Sequence, residues 1–147
     1  MIKSNNIVSN NKFAYTAIML IKQNIIKSIE PLYNPVTIIG LNKTLRHRIF
    51  WSIFDKEFNE NYKQIYIYGS LDKLELDKIK NKRLVIIEEV ELLVDNEVLQ
   101  NKMKELLKVC FEQKIQIVLC LNSNINDLKI DKLFKNKMLC GLLLHLE

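Results

Sequence analysis

The stretch NPVTIIGLNKTLRHRIF, residues 34–50, decides how this chain folds. It combines a short β-branched segment (Val36 to Ile39), a glycine (Gly40) and then Lys43 and Thr44, which open a segment with helical character. A phosphate-binding loop has the same order of parts, namely a strand, a glycine, a lysine–threonine pair and a helix. Here the loop itself is very short. The stretch therefore predicts a strand–turn–helix unit that resembles a nucleotide site.

Length and composition predict one folded domain. The chain has 147 residues, of which 48% are hydrophobic and 27% charged, and such a chain can bury a substantial core. We expect residues 1–10 to form a polar lead and residues 11–147 a single domain. No apolar run approaches the roughly 20 residues of a membrane span, and the first residues lack the pattern of a leader. The expected location is cytoplasmic, with no membrane partner.

The cysteines and histidines predict no metal or catalytic site. The three cysteines (Cys110, Cys120 and Cys140) have no CxxC spacing, and each lies in an apolar segment. They are interpreted as buried free thiols. His47 and His145 lie in no ligand-spaced motif. We therefore assign no metal ligand and no catalytic residue.

Strand-like and helix-like segments alternate along the chain. The apolar patterns predict helices over 12–29, 43–58, 95–113 and 126–137, and strands over 36–40, 64–69, 83–90, 116–123 and 140–146, with one or two helical turns in 70–82. Continuous apolar strands indicate a sheet covered on both faces. The predicted class is α/β, a three-layer sandwich with a parallel sheet of about five strands. Its ligands would bind at the carboxyl ends of the strands.

Five stretches together resemble a known family. They are SNNKFAYTAIMLI (9–21), LYNPVTIIG (32–40), LVIIEEVELL (84–93), QIVLCLNSNINDL (116–128) and IDKLFKNKMLCGLLLHL (130–146). In this order they are similar to the AAA+ domain of the bacterial replication initiator DnaA and its relatives, from its N-linker through Walker A, Walker B and sensor 1 to the arginine-finger region. The resemblance implies a P-loop NTPase core without the helical lid.

The stretch that resembles Walker A departs from the family. A Walker A loop wraps backbone N–H groups around the phosphates, and its lysine and threonine reach phosphate and Mg²⁺. Only two residues separate Gly40 from Lys43, three fewer than that motif places between its first glycine and its lysine. Gly40, Lys43 and Thr44 are therefore expected to be vestigial. Thr44 or Asn42 also fits the role of an ordinary helix cap.

The other nucleotide motifs are altered as well. Glu88 stands where Walker B has an aspartate, Glu89 keeps the second acid, and Asn122 matches sensor 1. Lys137 stands where the family has its arginine finger, and lysine lacks the planar fork that suits phosphate. We interpret these four residues as vestigial parts of a cofactor site. The acids also fit a solvated surface, and Asn122 an ordinary turn.

Basic residues are concentrated before residue 84, within a net charge of +5. Lys43, Arg46, Arg48 and Lys56 lie on or near one predicted helix, where several can share a face and bind single-stranded DNA. The neighbouring aromatics (Phe50, Trp51 and Phe54) fit either base stacking or, as we expect, the core. The lysines are scattered along the chain, and we expect a solvated surface rather than a nucleic-acid site for them.

These observations favour a non-catalytic DnaA-like AAA+ module, without ATPase activity, in DNA replication initiation or its regulation. The expected partners are DnaA or another AAA+ replication protein, DNA, or a second copy of the chain. No cofactor is expected. The alternatives are an ATP-binding initiator-type ATPase with an unusual phosphate loop, which would use ATP and Mg²⁺, and a single-stranded DNA-binding module.

Overall fold

A five-stranded sheet runs through the centre of the chain. The computed structural model describes residues 11–40, 42–62 and 66–146, with the side chain of residue 66 excepted. The strands are β1 Val36–Ile39, β2 Tyr66–Ser70, β3 Leu84–Glu88, β4 Gln116–Leu121 and β5 Leu142–His145. Their order is β2-β3-β4-β1-β5, and every pair is parallel. The predicted α/β class with a five-stranded parallel sheet is confirmed.

The sheet has a hydrophobic core on each face. Alternate residues of β3 face opposite sides: Val85 and Ile87 belong to one core, and Leu84 and Ile86 to the other. All residues of β1, β3 and β4 are buried. This explains their continuous apolar runs, because helices cover both faces of the sheet. The layers are therefore helix, sheet and helix, as predicted.

The helices are α1 Lys12–Ile26, α2 Lys43–Ile53, α3 Lys56–Tyr62, α4 Glu97–Glu112 and α5 Lys132–Leu139. Helices α1, α2 and α3 contribute to one core and α4 and α5 to the other. Short 3-10 turns occupy 71–73, 76–78, 90–93 and 125–127, so the expected helical turns in 70–82 are confirmed. Among the described residues, none of the helices is both long enough and apolar enough to cross a bilayer.

Two helix predictions need correction. The helix predicted over 43–58 is broken after Ile53, because the Asp55 side chain accepts a hydrogen bond from the N–H of Phe58 (3.0 Å) and starts α3. The helix predicted over 126–137 begins only at Lys132 and follows a separate 3-10 turn. Local capping, which the apolar periodicity does not report, sets these boundaries.

The connection from β1 to α2 depends on two residues. Gly40 has φ +105, and a Cβ at this position would overlap the carbonyl oxygen of Leu146, so only glycine fits. The Asn42 side chain caps α2 by accepting a hydrogen bond from the N–H of Leu45 (2.9 Å). Of the two cap candidates, Asn42 is therefore the cap and Thr44 is not.

The thiols differ in their exposure. Cys110 and Cys120 are buried, as expected, whereas Cys140 is exposed just after α5. The prediction of three buried thiols is therefore wrong at Cys140. Burial raises the pKa of the Cys110 thiol to about 12, which leaves it protonated at neutral pH.

Candidate functional site

Polar groups meet at the carboxyl ends of three neighbouring strands. Gly40 follows β1, Glu88 ends β3 and Asn122 follows β4. The ends lie side by side, since the N–H of Gly40 donates to the carbonyl of Leu121 (3.1 Å). Helix α2 starts at the same edge. This is the edge at which open α/β sheets hold their ligands.

A buried ion pair occupies this edge. Arg46 on α2 and Glu88 on β3 are 1% and 0% exposed. The Arg46 Nη2 atom lies 2.7 Å from Glu88 Oε1, and Arg46 Nε lies 3.2 and 3.1 Å from the two carboxylate oxygens. A planar guanidinium suits this two-pronged contact with a carboxylate. The pair joins residues that are 42 positions apart in the chain.

The remaining donors and acceptors of the pair are also satisfied. Arg46 Nη1 donates to the carbonyl of Gly40 (3.1 Å), to the carbonyl of Leu121 (3.3 Å) and to Asn122 Oδ1 (2.7 Å). The Tyr68 hydroxyl donates to Glu88 Oε2 (3.0 Å). A buried ion pair is costly unless its hydrogen-bonding groups are met. Here one guanidinium connects the ends of β1, β3 and β4.

The pair also changes the proton affinities around it. Burial opposes the charge on Arg46, but the hydrogen bonds and the negative charge of Glu88 outweigh it, so the Arg46 pKa lies above its ordinary value. Burial, followed by the charge of Glu88, raises the pKa of Tyr68. Burial also raises the pKa of Cys120. Arg46 is therefore a permanent cation, and Tyr68 stays protonated as a donor.

Arg46 was predicted to contact DNA, and this prediction is wrong. Its guanidinium is enclosed, so no phosphate backbone can reach it. The signal was present in the sequence, because Arg46 shares a helical stripe with the buried residues Ile49, Phe50 and Ile53. Tyr68 was not predicted as part of the site at all, since a tyrosine in a strand reads as a packing residue.

The other predicted cofactor residues are only partly brought together. Lys43 Nζ pairs with Glu89 Oε1 (3.2 Å) at the surface, and Thr44 is exposed nearby on α2. Glu89 has φ 57, in the left-handed region. Lys137 is exposed on α5. Within the described residues, its side chain forms no ion pair or hydrogen bond with the other predicted site residues.

The remaining basic residues lie on the surface. Arg48 and Lys56 are exposed, and Lys56 lies 3.8 Å from Glu60. Of the three aromatics expected in the core, Phe50 and Phe54 are buried there, but Trp51 is 63% exposed. The expectation for Trp51 is therefore wrong. Trp51 follows Phe50 directly, and adjacent helical positions face different directions.

The residues at this edge do not fit a magnesium ion. Mg²⁺ binds oxygen ligands in near-octahedral geometry, but both Glu88 oxygens already accept hydrogen bonds from Arg46 or Tyr68. A metal at Glu88 would have to displace a guanidinium that carries three further hydrogen bonds. In 11–40, 42–62 and 66–146, no three His, Cys, Asp or Glu side chains are grouped to hold a metal.

The five-stranded parallel sheet between two helix layers matches the fold of the DnaA AAA+ core. Solved structures make the comparison specific. DnaA from Aquifex aeolicus bound to AMPPCP superposes with a TM-score of 0.75 and 17% identity, over 100% of this chain and 48% of that one. DnaA bound to AMPPCP and single-stranded DNA superposes with a TM-score of 0.74 and 20% identity, over 97% of this chain and 48% of that one. The predicted resemblance to the DnaA AAA+ domain is thus confirmed at the level of the fold.

A third match extends the comparison beyond DnaA. A proposed primosome component from Streptococcus pyogenes serotype M3 gives a TM-score of 0.64 and 15% identity, over 95% of this chain and 85% of that one. No family model and no curated protein matches the sequence. The chain spans about half the length of the two DnaA chains.

We predict that removing both members of the Arg46–Glu88 pair costs less stability than the sum of removing each member alone. Arg46→Met or Glu88→Leu alone leaves an uncompensated buried charge and should lower the free energy of unfolding by about 3–5 kcal/mol. The double variant should lose less than the sum, with a coupling above about 1 kcal/mol. Urea unfolding followed by circular dichroism measures all four proteins.

The exposed pair Lys114–Glu30 (2.9 Å) is the matched control. The same cycle with Lys114→Met and Glu30→Leu should give a coupling too small to resolve, because solvent screens this pair. Additive losses at Arg46 and Glu88 would show that the two charges do not depend on each other.

Proposed function

We propose that this chain is a non-catalytic, DnaA-like AAA+ module that acts in DNA replication initiation or its regulation through contacts with other proteins. The observation that carries the proposal is the Arg46–Glu88 pair. In an ATP-dependent AAA+ domain, the acid at the end of this strand helps to hold Mg²⁺ beside the phosphates. Here that acid binds a cation that belongs to the chain itself.

The surroundings of the pair support the loss of nucleotide chemistry. Arg46 Nη1 uses Gly40 and Asn122, two of the residues predicted as vestigial nucleotide contacts, as its own acceptors. Lys43, which would reach the phosphates, pairs with Glu89, which would orient the attacking water. Four groups that would serve ATP therefore have partners within the chain.

The proposed place of action rests on the structural neighbours. The matches include DnaA bound to nucleotide and single-stranded DNA and a proposed primosome component. AAA+ domains assemble side by side through surfaces around the nucleotide site. We propose that this chain contacts DnaA, another AAA+ replication protein or a second copy of itself in the same way, with the exposed Lys137 in the surface that corresponds to the arginine finger.

Exposed Trp51 favours single-stranded DNA binding as a second candidate function. Its indole is 63% exposed, and Arg48 and Lys56 are exposed on the same helix and the next. An exposed aromatic ring beside cations is the combination that stacks bases and attracts phosphates. Of the four cations predicted to bind DNA, Arg46 is buried and Lys43 is paired with Glu89. The proposed DNA-binding surface therefore depends on Arg48 and Lys56.

Calorimetric titration with ATP and ADP in the presence of Mg²⁺ tests the loss of the nucleotide site. We expect no binding tighter than about 1 mM, because Arg46 already compensates Glu88. A nucleotide-binding DnaA protein provides the positive control. Micromolar binding would instead support an ATPase with an unusual phosphate loop, and hydrolysis by Lys43→Ala and Glu89→Gln would then identify its working residues.

Sedimentation of the purified chain with purified DnaA from the same organism tests the proposed partner. We expect a complex that Lys137→Glu weakens by about tenfold, since a reversed charge at an interface is repelled. The control is Lys108→Glu, a reversal at an exposed lysine on α4, which should leave the complex unchanged. Equal effects of the two variants would remove Lys137 from the interface, and the absence of any complex would remove DnaA as the partner.

Salt dependence tests the second candidate. If Arg48 and Lys56 each contact one phosphate, the logarithm of the affinity for an oligonucleotide should fall with slope about −1.4 against the logarithm of salt. Arg48→Ala and Lys56→Ala should each reduce that slope by about half, while Lys108→Ala should not change it. Undetectable binding at low salt would dismiss this function.

A further inference from the structure

Strand β2 forms an open edge of the sheet. Within the described residues it pairs only with β3. Its sequence, YIYGS, contains no charged residue and no proline, which are the usual devices that prevent an edge strand from pairing with another chain. A Cβ at Gly69 would meet no atom within 4 Å. Residues 67–70 are half-buried, and among the described residues the outer backbone groups of this edge have no strand partner.

An aromatic pocket lies on the α2 side of this strand. It has a volume of about 170 Å³ and is lined by His47, Phe50, Trp51, Phe54 and Tyr68. The Tyr68 ring makes edge contacts with His47 and Phe50, with centroids 4.7 and 5.6 Å apart. The largely exposed Trp51 forms part of the lining. This pocket is suited to an apolar side chain.

A basic cleft lies beside the same strand. It has a volume of about 420 Å³, and its lining includes Ile67 and Gly69 of β2 together with Lys73, Lys78 and Lys82. One acid, Glu75, also lines it and lies 3.0 Å from Lys78. Lysine side chains therefore outnumber acidic ones in this lining by three to one. This cleft is suited to a carboxylate.

We propose that an extended segment of a partner protein binds along β2 as a sixth strand, with apolar residues in the aromatic pocket and acidic residues at the basic cleft. Side chains of a strand alternate between the two faces of a sheet, so a strand beside β2 presents alternate residues to the two sites. Main-chain hydrogen bonds supply affinity in such additions, and the side pockets supply selectivity.

Within the described residues, the cavity beside the opposite edge strand differs in size and lining. Strand β5 has Leu142 beside a cavity of about 40 Å³, and no lysine lines that cavity. We therefore assign the added strand to β2 alone. This assignment rests on the proposed function only in requiring a protein partner, and it involves neither the nucleotide site nor Lys137.

Three seven-residue peptides provide the first test, with glutamate alternating with valine, leucine or phenylalanine. Trp51 is the single tryptophan of the chain and reports on the pocket. We expect at least one peptide to bind with a dissociation constant of roughly 10 µM to 1 mM and to shift Trp51 emission to shorter wavelength as its ring is buried. No binding by any of the three would overturn the proposal.

N-methylation of the binding peptide tests the main-chain pairing. In a strand, the N–H groups of alternate residues point to the same side. Methylation of all glutamates therefore blocks one side of the peptide, and methylation of all apolar residues in a second peptide blocks the other side. We expect one methylated peptide to bind within about threefold of the parent and the other to lose at least about tenfold, because only one side faces β2. Equal effects of the two methylations would overturn the strand addition.

Lysine variants test the charge preference. The triple variant with Lys73→Ala, Lys78→Ala and Lys82→Ala should bind the peptide at least about tenfold more weakly at low salt. The control variant, with Lys108→Ala, Lys129→Ala and Lys132→Ala, removes three exposed lysines that line neither site and should bind normally. Equal losses would show that only net charge matters, and would overturn the assigned cleft.

An oligonucleotide separates this inference from DNA binding. Bases that stack on Trp51 quench its emission, whereas a buried peptide side chain shifts it to shorter wavelength. Peptide binding without a DnaA complex would support the β2 surface and contradict the DnaA partner. A DnaA complex without peptide binding would support the DnaA partner and contradict the β2 surface.

Discussion

The ion pair between Arg46 and Glu88 is the constraint that organises this structure. A charge without solvent exposure costs several kcal/mol unless it is paired and hydrogen-bonded, and both members of this pair are almost fully buried. The compensation comes from the ends of three strands, since Arg46 also contacts the carbonyls of Gly40 and Leu121 and the side chain of Asn122. Helix α2 is held against the sheet by electrostatics as well as by its apolar stripe.

A cation that belongs to the chain has a different consequence from a bound cofactor. A nucleotide and its metal bind and leave, so the strand ends that hold them can exist in two states. Arg46 is covalently attached to α2 and keeps its proton at any physiological pH. Under the proposed function, the module therefore presents one fixed conformation at this edge, and its partners must supply any regulation.

The sequence predicts the sheet well because β1, β3 and β4 are buried on both faces and their apolar runs are continuous. It also predicts that Gly40, Glu88 and Asn122 lie near one another, since parallel strands end at one edge. The prediction from sequence missed the ion pair because it assigned Arg46 to the surface on the ground that arginine is charged. The spacing of Arg46 along the helix, however, places it on the same face as Ile49, Phe50 and Ile53. The prediction for Trp51 made the opposite error, because it placed an aromatic residue in the core although its side chain is largely exposed.

Tyr68 connects the buried pair to the open edge of the sheet. Its hydroxyl donates to Glu88, while its ring packs against His47 and Phe50 and forms part of the aromatic pocket. The raised pKa of Tyr68 keeps that donor protonated, so the ring is anchored at its polar end. A ring fixed in this way gives the pocket a rigid side, so less conformational entropy is lost when a ligand binds there. The charge buried at the carboxyl edge of the sheet thus helps to preorganise the surface that we assign to a partner.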